Sequence, residues 1–303
     1  MLAIIIPYYK YLFFEVTLKS LANQRDKRFK VYIGDDASPE EPSGLLEKYK
    51  GQFDFLYHRF ETNRGAISLT EQWERCISLS NNEEWLMILG DDDYLDDTVV
   101  ESWYKHYDFF NHKSNVIRFA TKTIDQKTER ISKVFTHPVL ESAIDSFYRR
   151  FQGNTRSSLS EYIFSKKTFL KYKFRDYPLA WHSDDKAWLD FSDGKPIFTI
   201  NDSVVFIRIS DFSITGKSDN SELKNLAVIK FLKDIISYQF YLITKEQRLE
   251  VLYNYERALC LSRQITIIDW GKLGKLYLEN FNPNFFVKFL KRFLKNGFQI
   301  WNS

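Results

Sequence analysis

The stretch Trp85-Leu86-Met87-Ile88-Leu89-Gly90-Asp91-Asp92-Asp93 decides the fold class of this chain. Five consecutive apolar residues that end at a glycine are typical of a short strand buried on both faces, as in a parallel sheet covered by helices. Three aspartates follow directly, and the segment 81–101 holds eight carboxylates with no lysine or arginine among them. Ligands of open α/β sheets bind at the carboxyl ends of the strands, so these aspartates mark the candidate site.

The rest of the chain alternates short apolar runs with stretches of helical periodicity. Strands are predicted at 3–6, 29–33, 53–57, 85–89, 116–120, 161–164, 197–200 and 204–209, and helices at 12–23, 67–79 and 98–110. From about residue 219 the predicted helices follow one another, at 222–242, 245–262, 271–280 and 284–295. This order predicts a Rossmann-like α/β fold, a mainly parallel sheet flanked by helices, with a helical C-terminal region. We place the boundary near Gly216, which gives domains 1–216, with halves 1–110 and 111–216, and 217–303.

Polar groups follow several of these strands at their predicted carboxyl ends. They are Pro7-Tyr8-Tyr9, Asp35-Asp36, Asn63-Arg64-Gly65 and the aspartates 91–93, and we expect them to converge on one rim. Neighbouring carboxylates raise one another's pKa unless a cation lies between them. Oxygen ligands select hard dications, so the aspartates 91–93 favour Mg²⁺ or Mn²⁺. Asp96 and Asp97 fit better as caps of the helix predicted from Thr98.

Composition limits the classes of protein to which this chain can belong. Its 303 residues, 44% hydrophobic and 27% charged, are typical of a folded globular protein, whereas the aromatic content of 17% is high. A net charge of +3 gives no basic field for nucleic acid, which we do not expect as a partner. The two cysteines indicate a reducing compartment, and the apolar run 2–6 lacks the basic leader of a signal peptide. No apolar run approaches the ~18 residues of a membrane span, so we expect a cytoplasmic protein.

Five segments, taken in order, resemble glycosyltransferase family 2. They are Ile4-Ile5-Ile6-Pro7-Tyr8-Tyr9, Ser20-Leu21-Ala22-Asn23-Gln24, Gly34-Asp35-Asp36-Ala37-Ser38, Asn63-Arg64-Gly65 and Leu89-Gly90-Asp91-Asp92-Asp93-Tyr94-Leu95. The resemblance is dense over 1–110 and thinner as far as about residue 215. It implies the GT-A fold, a nucleotide-diphosphate sugar as the donor, and inversion at the anomeric carbon.

On the donor side, the resemblance implies that Pro7 and Tyr9 line the nucleotide pocket and that Asp36 reads the uracil or the ribose. It also implies that Arg64 contacts a phosphate or the base, and that Arg208 contacts the diphosphate. A phenol ring can stack on a base, and a carboxylate can accept the N–H of uracil. Core packing of Tyr9 and a solvated loop position for Arg64 are the alternatives.

The metal motif of the family is Asp-x-Asp, and here Gly90 stands where its first aspartate commonly lies. The resemblance implies that Asp92 is the direct metal ligand with Asp93 beside it. Asp91 would then contact the ribose or metal-bound water. Because of the departure at Gly90, it stays open whether Asp91 or Asp93 assists Asp92.

On the acceptor side, the segment His182-Ser183-Asp184-Asp185 lies about a hundred residues after the metal motif, where the family has its catalytic base. The resemblance implies that Asp185 is the general base and that Asp184 is its neighbour or substitute. A helix N-cap formed by Ser183 and Asp184 is the alternative. Further acceptor-side candidates, each with a structural role as the alternative, are Trp181, His182 and Trp188.

The tail at 284–296 carries lysine and arginine but no acid, with aromatic and aliphatic residues between them. Such a basic amphipathic helix can lie on an anionic membrane surface, or it can pack its apolar face on the protein. The features together favour an inverting, metal-dependent enzyme of bacterial surface-polysaccharide synthesis. It would move sugar from a UDP-sugar to a glycan or polyprenyl-linked acceptor at the inner face of the plasma membrane. A nucleotidyltransferase, whose Gly-rich phosphate loop is missing after the first strand, and a non-catalytic sugar-binding module are the alternatives.

Overall fold

The computed structural model describes residues 1–210, 220–263 and 265–301, with no side chains described beyond residue 295. The chain divides into two compact units, one of Met1–Asp176 with Ser183–Ser218 and one of Tyr177–His182 with Asp219–Ser303. The boundary predicted near Gly216 lies outside the described residues. Each unit has its own apolar core.

The first unit alternates strands and helices along the chain. Its elements are β1 (Leu2–Tyr8), α1 (Phe14–Ala22), β2 (Phe29–Asp35), α2 (Ser43–Tyr49), β3 (Asp54–Arg59), α3 (Leu69–Ile77), β4 (Trp85–Ile88), β5 (Tyr94–Leu95), α4 (Val99–Phe110), β6 (Val116–Asp125), β7 (Leu140–Glu141), α5 (Ala143–Phe151), β8 (Tyr162–Ser165), α6 (Lys166–Tyr172), α7 (Ser183–Phe191) and β9 (Ile197–Ile209). Single 3₁₀ turns at Leu159–Glu161 and Pro178–Ala180 precede β8 and α7.

These strands form one sheet in the order β3-β2-β1-β4-β8-β6-β9-β5, with β7 beside β9. β1 lies between β2 and β4 and is parallel to both, and β3 is parallel to β2. β8 runs antiparallel to β4 and β6, and β5 runs antiparallel to β9. The predicted α/β class is confirmed. The sheet is mainly parallel, as predicted: β1, β2, β3, β4, β6 and β9 run in one direction, and β5, β7 and β8 run against their neighbours.

β1 shows why this half of the sheet needs a continuous apolar run. Ile4 and Ile6 belong to an apolar layer that also contains side chains of α1 and α4. Ala3 and Ile5 belong to a second layer, with side chains of α3, α6 and α7. Successive residues of a strand face opposite sides of the sheet, so two covered faces require apolar residues at every position. Each fully buried isoleucine contributes about 1.5–3 kcal/mol.

Over the first 110 residues the predicted strands and helices are present, with ends shifted by no more than two residues. The predicted strands at 197–200 and 204–209 are one continuous strand, β9. α2, α5 and α6 have no predicted counterpart, because helices of seven to nine residues show too few turns for a clear period.

The start of α4 differs from the prediction. Thr98 precedes the helix and makes no side-chain cap. The N–H of Val100 instead donates to Oε1 of Gln24, at 3.1 Å. The carboxylate of Asp96 accepts from the N–H of Asp97, at 2.9 Å. The capping prediction for Asp96 and Asp97 is therefore wrong, because Gln24, two residues after the end of α1, fills that place.

The second unit contains the segment Tyr177–His182 and the helices α8 (Ser221–Asp234), α9 (Lys245–Leu261), α10 (Ile267–Glu279) and α11 (Pro283–Trp301), with short turns between the helices. The predicted helix 222–242 ends at Asp234, and Ile235–Gln239 and Phe240–Leu242 follow as turns of π and 3₁₀ helix. α9 and α10 begin with capping boxes at Thr244 and Thr266. Among the described residues, no helix has the length and apolar character needed to cross a bilayer.

Substituting Gly34 tests the packing of β2 on α3. A Cβ at this position would lie 2.3 Å from Sγ of the buried Cys76, so Gly34→Ala should lower the free energy of unfolding by about 1–3 kcal/mol. Gly44→Ala is the matched control, because a Cβ there has no atom within 4 Å and alanine favours the helix α2. Urea unfolding measures both, and equal stability of the two variants would contradict the packing.

Candidate active site

The acidic turn after β4 is anchored to the end of β1. Oδ2 of Asp91 accepts the backbone N–H groups of Tyr9 and Lys10, at 2.8 and 2.7 Å. Asp91 is buried, and β1 and β4 are neighbours in the sheet. The structure thus brings together the polar groups predicted at the ends of these two strands. The carboxylate of Asp91 is used in hydrogen bonds to the backbone after β1.

Polar side chains of α1, together with Gln24 just after that helix, make hydrogen bonds to the same turn. The hydroxyl of Thr17 donates to the carbonyls of Asp91 and Asp93, at 3.2 and 2.7 Å. The hydroxyl of Ser20 accepts a hydrogen bond from the N–H of Leu95, at 3.2 Å. The side-chain amide of Gln24 donates to the backbone carbonyl of Asp96, at 2.7 Å. The motif of residues 20–24 therefore positions the acidic turn, a role that its sequence does not reveal.

Asp93 and Asp92 differ in what their carboxylates contact. Oδ2 of Asp93 accepts from the hydroxyl of Ser160, at 2.6 Å, and Oδ1 accepts from the N–H of Arg208, at 2.8 Å. Nε of Arg208 donates to the backbone carbonyl of Asp92, at 3.2 Å. Among the described residues, no other residue donates a hydrogen bond to the Asp92 carboxylate. These contacts favour Asp92 over Asp93 as a metal ligand.

Burial and mutual repulsion raise the pKa of each acid in the turn. Burial, and after it the charge of Asp92, raises the pKa of Asp91 to about 6 and that of Asp93 to about 7. Burial also raises the pKa of Asp92, against the opposing charges of Lys10 and Arg208. The turn is therefore a place where added positive charge stabilises the ionised acids. Lys10 was not predicted to lie beside this turn.

The donor set fits a dication that is held by a single carboxylate. Among the described residues, no group of three or more histidine, cysteine or acidic side chains is arranged as a set of ligands. Gly90 leaves space for the two carboxylates that follow it, because a Cβ at this position would lie 3.1 Å from Oδ1 of Asp92 and 3.1 Å from Oδ2 of Asp93. Mg²⁺ is commonly bound through one or two carboxylates, with phosphate oxygens and water completing its shell. Asp92 can serve as that carboxylate.

The acids at the end of β2 fix the neighbouring loops. The carboxylate of Asp36 accepts the N–H groups of Arg64 and Gly65, at 2.6 and 2.9 Å, and it also binds the guanidinium of Arg75. A Cβ at Gly65 would lie 2.5 Å from Oδ2 of Asp36, which explains the glycine. Both carboxylate oxygens of Asp36 already accept these hydrogen bonds, so a nucleotide that bound Asp36 would have to share one of them. Arg75 lies in α3, where no motif pointed to it.

Asp35 has a structural environment. It is fully buried, and Oδ2 accepts from the hydroxyl of Tyr57 and from the guanidinium of Arg59, at 2.6 and 2.8 Å. Oδ1 accepts from the N–H of Ser38, at 2.7 Å, which closes the turn after β2.

The remaining donor-side candidates line the exposed part of this rim. The side chain of Tyr9 is 38% exposed, and Pro7 is half-buried in β1. Nε of Arg64 lies 3.4 Å from a carboxylate oxygen of Glu71, with nearly half of the Arg64 side chain in solvent. The guanidinium of Arg208 lies over the ring of Phe13, 4.0 Å from its centroid. Arg208 is thereby held beside the acidic turn.

Asp184 and Asp185 lie in the first turn of α7 and are half-buried. Asp185 lines a narrow pocket to which Arg118, Arg150 and Arg156 also contribute. The charge of Arg156 also lowers the pKa of Asp93, against the stronger effect of burial. The three arginines were not predicted, because they come from a strand, a helix end and a loop with no common motif.

The aromatic candidates for the acceptor side have structural contacts. Trp188 is 4% exposed, and its ring stacks on that of Tyr162 with centroids 4.0 Å apart. Core packing, the alternative given for Trp188, therefore describes it, and its indole face is covered. Trp181 and His182 belong to the second unit, where the ring of His182 stacks on Phe231 at 4.7 Å.

Parallel strands that end in an acidic turn, with an arginine beside it, are the arrangement expected of a glycosyltransferase of GT-A fold. The sequence model described as Glycosyl transferase family 2 matches residues 3–187, which is more than half of the chain. The chain belongs to glycosyltransferase family 2. This confirms the resemblance that the five segments predicted.

Solved structures show the same fold. The structure of S. aureus TarS 1–349 in complex with UDP-GlcNAc has a TM-score of 0.63 and 14% sequence identity, covering 92% of this chain and 80% of that one. The structure of TarS 1–349 alone has a TM-score of 0.62 and 15% identity, covering 91% and 80%. The longer TarS chain is matched at a TM-score of 0.62 and 14% identity, over 94% of this chain and 50% of that one. No curated protein matches the sequence significantly.

The raised pKa of Asp93 predicts a pH-dependent stability difference between the wild type and Asp93→Asn, measured without divalent cations. The amide can keep both hydrogen bonds, since its oxygen accepts from Arg208 and its nitrogen donates to Ser160. The carboxyl has a pKa of about 7 in the folded state and an ordinary pKa of 3.8, so ionisation destabilises the fold as the pH rises between these values. Asp93→Asn should equal the wild type near pH 4 and exceed it above pH 7, by on the order of 1 kcal/mol or more.

Urea unfolding at several pH values measures this difference. The exposed Asp108→Asn makes the same substitution at the surface and is the matched control. A stability difference between Asp93→Asn and the wild type that does not change with pH would contradict the raised pKa.

Proposed function

We propose that this chain transfers a sugar from a UDP-sugar to a hydroxyl group of an acceptor, with inversion at the anomeric carbon. The observation that carries the proposal is the acidic turn, in which Asp91 and Asp93 are bound by the fold while the carboxylate of Asp92 is left for a ligand. Membership of family 2 supports the reaction class, and the complex of S. aureus TarS with UDP-GlcNAc supports a UDP-sugar as the donor.

On the donor side, each residue has a physical role in binding. Mn²⁺ or Mg²⁺, when bound, would neutralise charge on the diphosphate and so make it a better leaving group. Asp92 would hold that ion, and the guanidinium of Arg208 would bind the diphosphate. The half-exposed ring of Tyr9 would stack on the base, and Asp36 would orient the loop that carries Arg64.

On the acceptor side, Asp185 would act as the general base. The acceptor hydroxyl attacks the anomeric carbon, its proton passes to the Asp185 carboxylate, and the bond from that carbon to the diphosphate oxygen breaks. A single displacement of this kind inverts the anomeric centre. Asp184, one residue earlier in the first turn of α7, would be its neighbour or substitute.

The acceptor and the cellular setting are further parts of the proposal. We infer a glycan or polyprenyl-linked acceptor in bacterial surface-polysaccharide synthesis, at the inner face of the plasma membrane. The two free cysteines are in keeping with a reducing compartment. A non-catalytic sugar-binding module, one of the two alternatives to this enzyme class, would bind the donor without turnover. A boundary near Gly216 between the catalytic domain and the helical region stays a proposal.

Asp92 and Asp185 should fail in different ways when substituted. Asp92→Asn should lose metal-dependent binding of UDP, because it removes the carboxylate left for the ion. Asp185→Asn should keep UDP binding and lose transfer by about 10²–10⁴-fold, because it removes only the base. Calorimetry with UDP and Mn²⁺ measures the first, and release of UDP from a panel of UDP-sugars with candidate acceptors measures the second.

The exposed Asp108→Asn serves as the control for both measurements and should behave as the wild type. Equal metal-dependent UDP binding by the wild type and Asp92→Asn would remove the metal assignment. Full transfer by Asp185→Asn would remove the base and would favour Asp184.

We also propose peripheral membrane contact through 284–296. Phe289 is buried against Trp270 and Tyr277, so α11 packs one apolar face on the core of the second unit. The opposite side keeps an outer strip, which consists of Val287, Leu290 and Leu294, each 40–54% exposed, and of the exposed Lys288, Lys291 and Lys295. Apolar side chains beside lysines suit an anionic lipid surface.

Removing charge from the outer strip should weaken binding to anionic vesicles. The double variant Lys291→Gln/Lys295→Gln loses two cations at about 1 kcal/mol each, so the affinity should fall about 30-fold. Lys230→Gln/Lys245→Gln makes the same change on α8 and α9 and is the matched control. Co-sedimentation with vesicles containing phosphatidylglycerol measures both, and equal binding by the two double variants would contradict the contact.

A further inference from the structure

A narrow pocket of the first unit lies beside the candidate base. Asp185 lines it together with Arg118, Arg150, Arg156 and Trp188, and we call it the arginine pocket. Three guanidinium groups around one pocket repel one another unless negative groups lie among them. The partners of each arginine therefore show what the pocket can still bind.

Two of these arginines have carboxylate partners within the protein. The guanidinium of Arg118 donates to Oε2 of Glu141, at 2.8 Å, and that of Arg156 donates to Oε2 of Glu161, at 2.7 Å. Glu141 also accepts from Arg149, at 2.8 Å, so one carboxylate is shared by two arginines. Glu141 and Glu161 thus largely compensate the charges of Arg118 and Arg156.

Arg150 has no such partner. Its Nε–H is buried without an acceptor, and among the described residues no carboxylate pairs with its guanidinium. The indole N–H of Trp188, on the wall of the same pocket, is also buried without an acceptor. Native proteins rarely leave a buried donor unpaired, because doing so costs the desolvation of that group. Two such donors on one pocket point to an acceptor group that a ligand brings.

The charges of this region also leave a positive surplus. The groups concerned are Arg118, Arg149, Arg150 and Arg156, against Glu141, Glu161 and Asp185. His137 adds no further charge, because burial and the nearby Arg118 and Arg149 lower its pKa to about 3. An anion in the arginine pocket would therefore meet net attraction.

The position of Arg150 has one simpler explanation. Arg150 lies in the last turn of α5, where a cation is favoured by the helix dipole. That accounts for a positive residue at this place. It accounts neither for the burial of Nε nor for the unpaired indole of Trp188 on the same pocket.

We propose that the arginine pocket binds an oxyanion carried by the acceptor, a phosphate or a carboxylate, through Arg150. A planar guanidinium donates parallel hydrogen bonds to such a group, and the indole N–H of Trp188 supplies another. The pocket is too narrow for a sugar ring. This rests on the proposed function, since Asp185 would then activate a hydroxyl of the same acceptor. The acceptor class is an anionic glycan, a sugar or polyol phosphate or a uronic acid.

Ligand-observed NMR on the full chain, saturated with UDP and Mg²⁺, tests the proposal with three probes. Glucose 1-phosphate carries a phosphate, glucuronate carries a carboxylate, and methyl glucoside carries neither. We expect at least one charged probe to bind the wild type at least tenfold more tightly than methyl glucoside. Whichever charged probe binds more tightly identifies the group that the pocket prefers.

Arg150→Gln should weaken binding of the charged probe about tenfold or more, since it removes a charge-assisted hydrogen bond. Arg150→Lys, which keeps the charge and loses the planar fork, should weaken it less. Thermal unfolding checks that both variants fold. The exposed Arg130→Gln is the matched control and should change nothing.

Three results would overturn the proposal: no binding of either charged probe, equal binding of methyl glucoside, or equal binding of the charged probe by Arg150→Gln and the wild type. The proposed function fails separately, if the wild type does not bind UDP in a titration without probes. In that case Arg150-dependent binding of an anion would still establish the pocket.

Discussion

The geometry of the site depends on a buried carboxylate that binds the backbone. Backbone N–H groups at the end of a buried strand need an acceptor once the pairing of the strand stops. Asp91 supplies one to Tyr9 and Lys10, and it thereby fixes the turn after β4 against the end of β1. Asp92 is the next residue in that turn. Its carboxylate can be left for a ligand because its neighbour in sequence holds the backbone in place.

The same arrangement recurs along the rim, and it changes how the acids should be understood. Asp35 and Asp36 accept hydrogen bonds from loop N–H groups, and Asp93 accepts one from the N–H of Arg208 in β9. Burying a carboxylate is costly unless donors surround it, and here loop N–H groups and arginines are those donors. Most acids of the rim therefore fix neighbouring segments of the chain in place, and Asp92 is the one whose carboxylate has no donor from another described residue.

The sequence predicted where the site lies better than what each residue does there. β1 and β4 are buried on both faces, which leaves a continuous apolar run, and the ends of parallel strands meet at one edge of a sheet. The partners were not predictable, because Ser160 and Arg75 lie in segments without a motif and reach the acids only through the fold. For Trp188 the sequence allowed two roles, and the stacked ring of Tyr162 is what assigns it to the core.

The two sides of the first unit carry opposite local charge, which the net charge of +3 conceals. Under the proposed function, a diphosphate would bind the acidic rim together with a dication that the acids attract. The arginine pocket has a positive surplus, so an anion carried by the acceptor would bind there directly. Acids at the rim and arginines in the pocket would then let the chain bind two anionic substrates with a single metal ion.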